Sequence, residues 1–176
     1  MTENKLRFLQ IGLGSMGKRR IRNLFANGEK NIIGFNPTPE RRKEAEEKYG
    51  IKTVDDFKKV LDADFDAMII SSPPDTHGEY IRLAIARKKH FFVEHPTLPD
   101  GYEEIFANKN LGIVMVPSAT FRFYTPVKMI KKFLEEGRVG KVLAYQYHMG
   151  QYLPDWHPWE DYRQVYFSKK DTGACR

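Results

Sequence analysis

The sequence predicts an α/β fold in which a doubly wound parallel sheet carries helices on both faces. Two observations support this prediction. Short apolar segments, each long enough for one strand, alternate along the chain with segments of helical periodicity. Several of these apolar segments are continuous, as is typical of strands buried on both faces of a parallel sheet. A chain of 176 residues suffices for one well-buried domain and part of another.

The predicted elements follow one another from the amino terminus. Gly50 ends the second helix, and Asp55 caps a short helix that ends near Leu61. The predicted strands are Leu6–Gly12, Asn31–Asn36, Ala67–Ile70, His90–Val93 and Leu111–Val116, and the predicted longer helices are Ser15–Asn27, Pro39–Tyr49, Thr76–Lys88 and Gly101–Asn108.

The pattern changes after Val116. Phe121–Glu136 has apolar residues at helical spacing, and Lys141–Met149 alternates as a strand does. An aromatic loop with several prolines follows. We therefore expect a first domain over residues 1–119 and the incomplete beginning of a second α/β domain over residues 120–176.

Composition limits the classes of function. The net charge is +6, but the basic residues stand among acids, as in a solvated helix face, and no nucleic-acid motif accompanies them. The longest apolar segments are strand-sized, and the first residues lack the profile of a signal peptide. The single cysteine, Cys175, fits a reducing compartment. We expect a cytoplasmic protein without a nucleic-acid or membrane partner, and we identify no metal site.

A G-x-G-x-x-G turn connects the first predicted strand to the first helix. Gly12 permits the tight turn, Gly14 lets the backbone approach a pyrophosphate, and Gly17 lets helix and strand pack closely. The N–H groups at the helix start, at Ser15 and Met16, would face the phosphates. The motif indicates a dinucleotide site, although alone it is a weak signal.

Asn36 ends the second predicted strand, where an NAD site has an acidic residue that binds the ribose 2′-hydroxyl. Asn36 is neutral, and Arg41 and Arg42 follow it. A carboxylate about 4 Å from a 2′-phosphate would repel it by about 1–4 kcal/mol, so its absence favours NADP over NAD. The alternative is that Asn36 is a turn residue before Pro37 and that the arginines are only solvated.

Ser72, Pro73, Pro74 and His77 follow the third of these strands at its carboxyl end, where ligands bind in open α/β sheets. We interpret them as cofactor-binding residues. The prolines are equally consistent with a rigid turn, in which His77 simply begins the next helix.

Glu94, His95 and Pro96 occupy the same position after the next strand. Histidine titrates near neutrality, so His95 is a candidate for passing a proton during hydride transfer. The bond before Pro96 is a candidate for the cis form. The alternative is a turn histidine without a catalytic role.

Taken together, these segments resemble the Gfo/Idh/MocA family of NAD(P)-dependent oxidoreductases. The resemblance rests on Gly12–Gly17, Ser72–His77, Glu94–Pro96, Arg122–Tyr124 and Gly137–Val142. It implies an N-terminal Rossmann domain that binds NADP or NAD, and a C-terminal α/β domain that supplies the substrate floor and often the oligomer interface. The implied reaction oxidises or reduces a hydroxyl or keto carbon on a sugar, cyclitol or related polyol.

The resemblance also implies an active site. Glu94 and His95 would lie near the nicotinamide, and the substrate would lie beside Arg122, Tyr124, Trp156 and His157. Trp156 and Trp159, which is three residues further along the chain, can each stack on a sugar face or anchor a core. Apolar residues of the second domain, among them Val142, Leu143 and Tyr145, need cover, so we expect a homo-oligomer.

Two features depart from the family pattern. His95 replaces the lysine of the family's E-K-P motif and is shorter. The chain also ends before the region where family members carry an aspartate and histidine pair in the second domain. A non-catalytic or truncated NAD(P)-binding protein that lacks a finished active site is therefore the alternative function.

Overall fold

The computed structural model describes residues 6–172 except residues 63, 97, 157 and 171. In this part of the chain, six strands form one parallel sheet in the order β3-β2-β1-β4-β5-β6. The direction of winding reverses between β1 and β4, which is where ligands bind in such sheets. The strands are β1 (Phe8–Ile11), β2 (Ile32–Phe35), β3 (Lys52–Val54), β4 (Ala67–Ile70), β5 (His90–Val93) and β6 (Met115–Pro117).

Helices connect the strands, and further helices follow the last strand in the chain. Short 3-10 helices cover Pro74–Thr76, Thr120–Phe123 and Tyr166–Ser168. None of the helices in the described part of the chain is long and apolar enough to cross a membrane. The α-helices are α1 (Ser15–Ala26), α2 (Pro39–Tyr49), α3 (Phe57–Asp62), α4 (His77–Ala86), α5 (Pro99–Ala107), α6 (Thr125–Glu135) and α7 (Leu153–Trp156).

The sheet has an apolar core on each face. On one face, Leu9 and Met68 pack with Ile81 of α4. On the other face, Ile32 of β2 packs with Ile21 of α1. Each fully buried side chain of this size contributes about 1.5–3 kcal/mol, so the two cores fix the strands whose ends carry the candidate site.

The structure confirms the predicted fold class and most of its elements. Pro39–Tyr49, Ala67–Ile70 and His90–Val93 have the predicted bounds. Gly50 ends α2 in the left-handed conformation, with φ of +64°, which glycine adopts without steric cost.

Apart from shifts of one or two residues at the ends of β1, α1 and β2, two details of the first half differ from the prediction. β3 was not predicted, because three residues that begin with Lys52 carry too little apolar pattern, yet they pair with β2. Asp55 does not cap α3. Instead, Asp56 accepts a hydrogen bond of 2.8 Å from the N–H of Lys58, and Asp55 pairs with Lys59 at 2.7 Å.

Other boundaries shift for local backbone reasons. β6 begins at Met115 rather than Leu111, since Gly112 holds a left-handed turn with φ of +76° before it. The predicted helix Thr76–Lys88 begins one residue later, after a 3-10 turn. The predicted helix Phe121–Glu136 is divided into a 3-10 helix and α6, because Pro126 occupies the first turn of α6, where the missing N–H of proline is tolerated.

The predicted strand Lys141–Met149 is wrong. These residues lie outside the sheet, and Val142, Leu143 and Tyr145 are all exposed. Alternation in the sequence marks two faces, but a strand forms only when a neighbouring strand satisfies its backbone groups. The described residues provide no such neighbour here.

Candidate functional site

The turn after β1 requires glycine at two positions. Gly12 has φ of +83°, and a β-carbon there would lie 2.6 Å from the carbonyl oxygen of Ser71 at the end of β4. A β-carbon at Gly17 would overlap the carbonyl oxygen of Gly12. The turn therefore fits tightly between α1 and the ends of the two central strands.

The start of α1 offers an anion site. Gly14 precedes the helix in an extended conformation, and the first N–H donated back to it is that of Lys18, at 2.9 Å. The N–H groups of Ser15, Met16 and Gly17 come before that bond and have no partner within the helix. The first turn contains no acidic residue, so the positive end of the helix dipole is unopposed there.

The approach to Gly14 is open apart from one cation. A β-carbon built on Gly14 would meet the guanidinium of Arg41 at 3.5 Å and no other described atom within 4 Å. The surface at Gly14, where α1 begins, therefore leaves room for a phosphate group beside a positive charge. This fits a dinucleotide pyrophosphate, which needs close backbone approach at the second glycine.

Gln10 supports this turn and was missed by the sequence reasoning. Its side chain is fully buried in β1, and its Nε2 donates to the carbonyl oxygens of Ile11 and Gly12, each at 3.1 Å. Its Oε1 is buried without a hydrogen-bond partner among the described residues. A glutamine inside an apolar strand, two residues before a glycine turn, was the available signal.

Asn36 lies buried at the carboxyl end of β2, where the sequence places it. Its Oδ1 accepts a hydrogen bond of 2.9 Å from the N–H of Thr38, so the residue does form a turn. Arg42 is used locally, since it donates to the carbonyl oxygens of Asn36 and Pro37 at 2.7 and 2.9 Å. Of the two arginines, Arg41 is the one that reaches the glycine turn.

The segment after β4 is held as a rigid corner. Nε2 of the buried His77 donates to the carbonyl oxygen of Ser72 at 2.8 Å, and the Thr76 hydroxyl lies 2.7 Å from the Ser72 hydroxyl. Pro73 precedes the 3-10 turn, and Pro74 is buried in it. Burial lowers the pKa of His77, opposed by the Ser72 carbonyl and, more weakly, by the Glu94 carboxylate. His77 therefore braces this edge through its hydrogen bond to Ser72.

Glu94 does not project freely from the end of β5. Its carboxylate is mostly buried and forms a short hydrogen-bonded ion pair with Nε of Arg20, in the second turn of α1. The Arg20 guanidinium also lies 4.6 Å from the ring centre of Phe92. Arg20 thus connects the helix of the glycine turn to the Glu94 corner, and the sequence reasoning did not identify it.

His95 is exposed beside this corner, and the bond between His95 and Pro96 is cis. The bond that the sequence offered as a candidate for the cis form is therefore cis. The two candidate catalytic residues, Glu94 and His95, have different surroundings. Glu94 forms an ion pair with Arg20, whereas His95 is exposed to solvent.

The predicted substrate residues are only partly brought together. Arg122 lines a cleft beside β6 that also contains Arg20, the partner of Glu94. Tyr124 and Trp156 are exposed and lie outside the described lining of that cleft. His157 falls outside the described residues.

Residues 6–111 match the model of the Gfo/Idh/MocA oxidoreductase family, described as an NAD-binding Rossmann fold. The chain belongs to this family. The predicted resemblance is thus confirmed, and the glycine turn, the corner after β4 and the Glu94 corner all lie within the matched residues.

Relatives of this Gfo/Idh/MocA chain include sugar and cyclitol dehydrogenases. Levoglucosan dehydrogenase of Pseudarthrobacter phenanthrenivorans is 30% identical over 123 residues, which are 67% of this chain and 31% of that protein. The scyllo-inositol 2-dehydrogenase (NAD(+)) of Bacillus subtilis is 28% identical over 151 residues, 82% of this chain and 44% of that protein. The chain thus spans less than half the length of these relatives.

A solved structure shares the fold. The WlbA dehydrogenase of Bordetella pertussis, crystallised with NADH and UDP-GlcNAcA, superimposes with a TM-score of 0.71 at 22% identity, over 80% of this chain and 44% of that one. The Rossmann architecture of this family member is therefore supported by sequence and by structure.

Proposed function

We propose that the protein is an NAD(P)-dependent oxidoreductase that transfers a hydride to or from a hydroxyl or keto carbon of a sugar, cyclitol or related polyol. The observation that carries the proposal is the turn at Gly12 and Gly17, where any side chain would collide with backbone. Family membership and the dehydrogenase relatives support the reaction class.

Two groups of residues bind two different parts of the cofactor in this proposal. The N–H groups at Ser15 and Met16 hold the pyrophosphate, and Gly12, Gly14 and Gly17 let it approach. A second group of residues, at the ends of β2 and β4, borders the rest of the cofactor; it comprises Asn36, Arg41, Ser72, Pro73, Pro74 and His77. The bound nicotinamide supplies the hydride chemistry.

The corner after β5 positions the reacting groups. Arg20 holds the Glu94 carboxylate by a charge-assisted hydrogen bond, which fixes the backbone that presents His95. In this proposal the imidazole of His95, which is exposed, holds or passes a proton. The proposed substrate residues Arg122, Tyr124, Trp156 and His157 belong to a proposed second domain that begins after residue 119, and of these Arg122 lines the cleft beside β6.

We further propose that NADPH binds at least as tightly as NADH. The residue directly after β2 is the neutral amide Asn36 instead of a carboxylate, and the Arg41 guanidinium lies beside Gly14. Fluorescence titration with both cofactors tests this preference. A clear preference for NADH would contradict the role given to Asn36 and Arg41.

Val142, Leu143 and Tyr145 expose apolar surface that a second copy would cover, so we propose a homo-oligomer, which light scattering tests. We also propose a cytoplasmic location, which the single cysteine supports because it fits a reducing compartment.

A non-catalytic NAD(P)-binding protein is the second candidate function. The solvent-facing His95, in place of the lysine that the family resemblance leads one to expect, favours it. The two candidates differ in one measurement: both bind NADH, but only the enzyme oxidises or reduces a polyol. If a longer reading frame exists, comparing its wild type with a His95→Lys variant shows whether position 95 limits turnover.

A further inference from the structure

A cleft opens beside the Glu94 corner, where β6 ends. Its volume is about 730 Å³, within the usual range for small-molecule sites. Segment 117–120 forms one side, Phe92 and Val116 come from the sheet, and Val127 comes from α6. None of the proposed cofactor-binding residues belongs to its described lining.

The cleft is strongly cationic. Its described lining contains Arg20, Arg122, Lys128 and Lys131 and no carboxylate. Arg20 is occupied by Glu94, and Lys131 lies 3.6 Å from a carboxylate oxygen of Glu135.

Two of these cations remain available. Arg122 and Lys128 form no ion pair with a described residue, and Lys128 Nζ lies 5.7 Å from the ring centre of Phe123. The lining also offers the hydroxyls of Ser118 and Thr120 beside apolar side chains. Hydroxyl and apolar groups suit a sugar or polyol, and unpaired cations suit an anionic substituent on it.

We propose that this cleft binds the carboxylate or phosphate group of an acidic sugar, and that the substrate class is therefore anionic. The inference rests on the proposed function, because it names the substrate of the same enzyme. Arg122 and Lys128 are the cations that bind the anion, while Arg20 remains on Glu94.

The test is an NMR titration of the ¹⁵N-labelled chain with three related sugars. D-glucuronate and D-glucose 6-phosphate carry a charge, whereas D-glucose has the same ring without one. The amide signals of Ser118, Ala119 and Thr120 should shift with both anions, with affinity about tenfold higher than for D-glucose and falling as salt is added. Whichever anion binds more tightly identifies carboxylate or phosphate as the preferred group.

Charge-matched variants locate the effect. The double variant Arg122→Gln/Lys128→Gln should bind both anions about tenfold more weakly. The control Lys30→Gln/Lys109→Gln removes the same charge from the segments that lead into β2 and β6, before these strands begin, whereas the cleft lies where β6 ends; this control should bind as the wild type does. Equal affinity for D-glucose, no shift at the cleft, or equal weakening in both double variants would each overturn the proposal.

A parallel titration with NADH keeps this inference separate from the proposed function. Binding of NADH without binding of either anionic sugar refutes the anionic substrate alone. Binding of the sugars without NADH refutes the proposed oxidoreductase function, and it leaves the cleft as an anion site.

Discussion

Two regions of the described chain contain similar apolar side chains, but these side chains are buried in the first region and exposed in the second. Between β1 and β6, Leu9 and Met68 are fully buried in a sheet whose strands all have partners. After β6, Leu143 and Tyr145 are exposed, although their spacing alternates as in a strand. The comparison shows that an alternating apolar pattern forms a strand only where a neighbouring strand pairs with it.

The largest expected difference concerns matched leucines. Leu9→Ala should reduce the free energy of unfolding by about 2–5 kcal/mol, because it leaves a cavity in the core. Leu143 is 87% exposed, so Leu143→Ala should change that free energy by less than about 0.5 kcal/mol. Urea denaturation of both variants measures the difference. Equal effects would mean that residues after β6 are packed as firmly as the sheet.

The next prediction compares two ion pairs. Arg20 and Glu94 are 19% and 10% exposed at their side chains, whereas Arg138 and Glu136, which are 2.7 Å apart, are 61% and 36% exposed. Glu94→Gln should cost about 1–3 kcal/mol, because it weakens a charge-assisted hydrogen bond to a mostly buried cation. Glu136→Gln should cost less than about 1 kcal/mol.

A double-mutant cycle with Arg20→Met separates the pair from the single residues. Coupling between positions 20 and 94 should exceed the coupling between positions 138 and 136, measured with Arg138→Met as the second member. No coupling at positions 20 and 94 would contradict the view that Arg20 holds the Glu94 corner.

The sequence predicted correctly those features that depend on residues close together in the chain, and it did not predict features that depend on distant contacts. The glycine turn was identified correctly because its three glycines lie within six consecutive residues, and the fold leaves no room for a side chain at Gly12 or Gly17. Arg20 was missed because its partner lies 74 residues away, and no local pattern records a contact between a helix and a distant strand end. The strand at Lys141–Met149 was wrong for a related reason, since pairing depends on a distant neighbour.

The smallest predicted effect is a pH dependence. Burial lowers the pKa of His77 in the folded protein. The unfolded chain therefore binds a proton at this residue more readily than the folded one does. Stability from this residue is complete above the unfolded pKa near 6.5 and is lost as the pH falls below that value towards the folded pKa. His77→Gln should flatten the profile of unfolding free energy below pH 6.5, and urea denaturation of the variant and the wild type at a series of pH values measures the difference.

The central claim is that the turn at the start of α1 binds a dinucleotide pyrophosphate. Gly14→Ala tests it directly, because the added β-carbon meets only the Arg41 guanidinium, at 3.5 Å, and so should leave the fold intact. It nevertheless fills the space through which the phosphates approach. Titration with NADH should show affinity at least about tenfold lower in Gly14→Ala than in the wild type, at an unchanged melting temperature. Equal affinity in the two proteins, or no NADH binding by the wild type, would contradict the account.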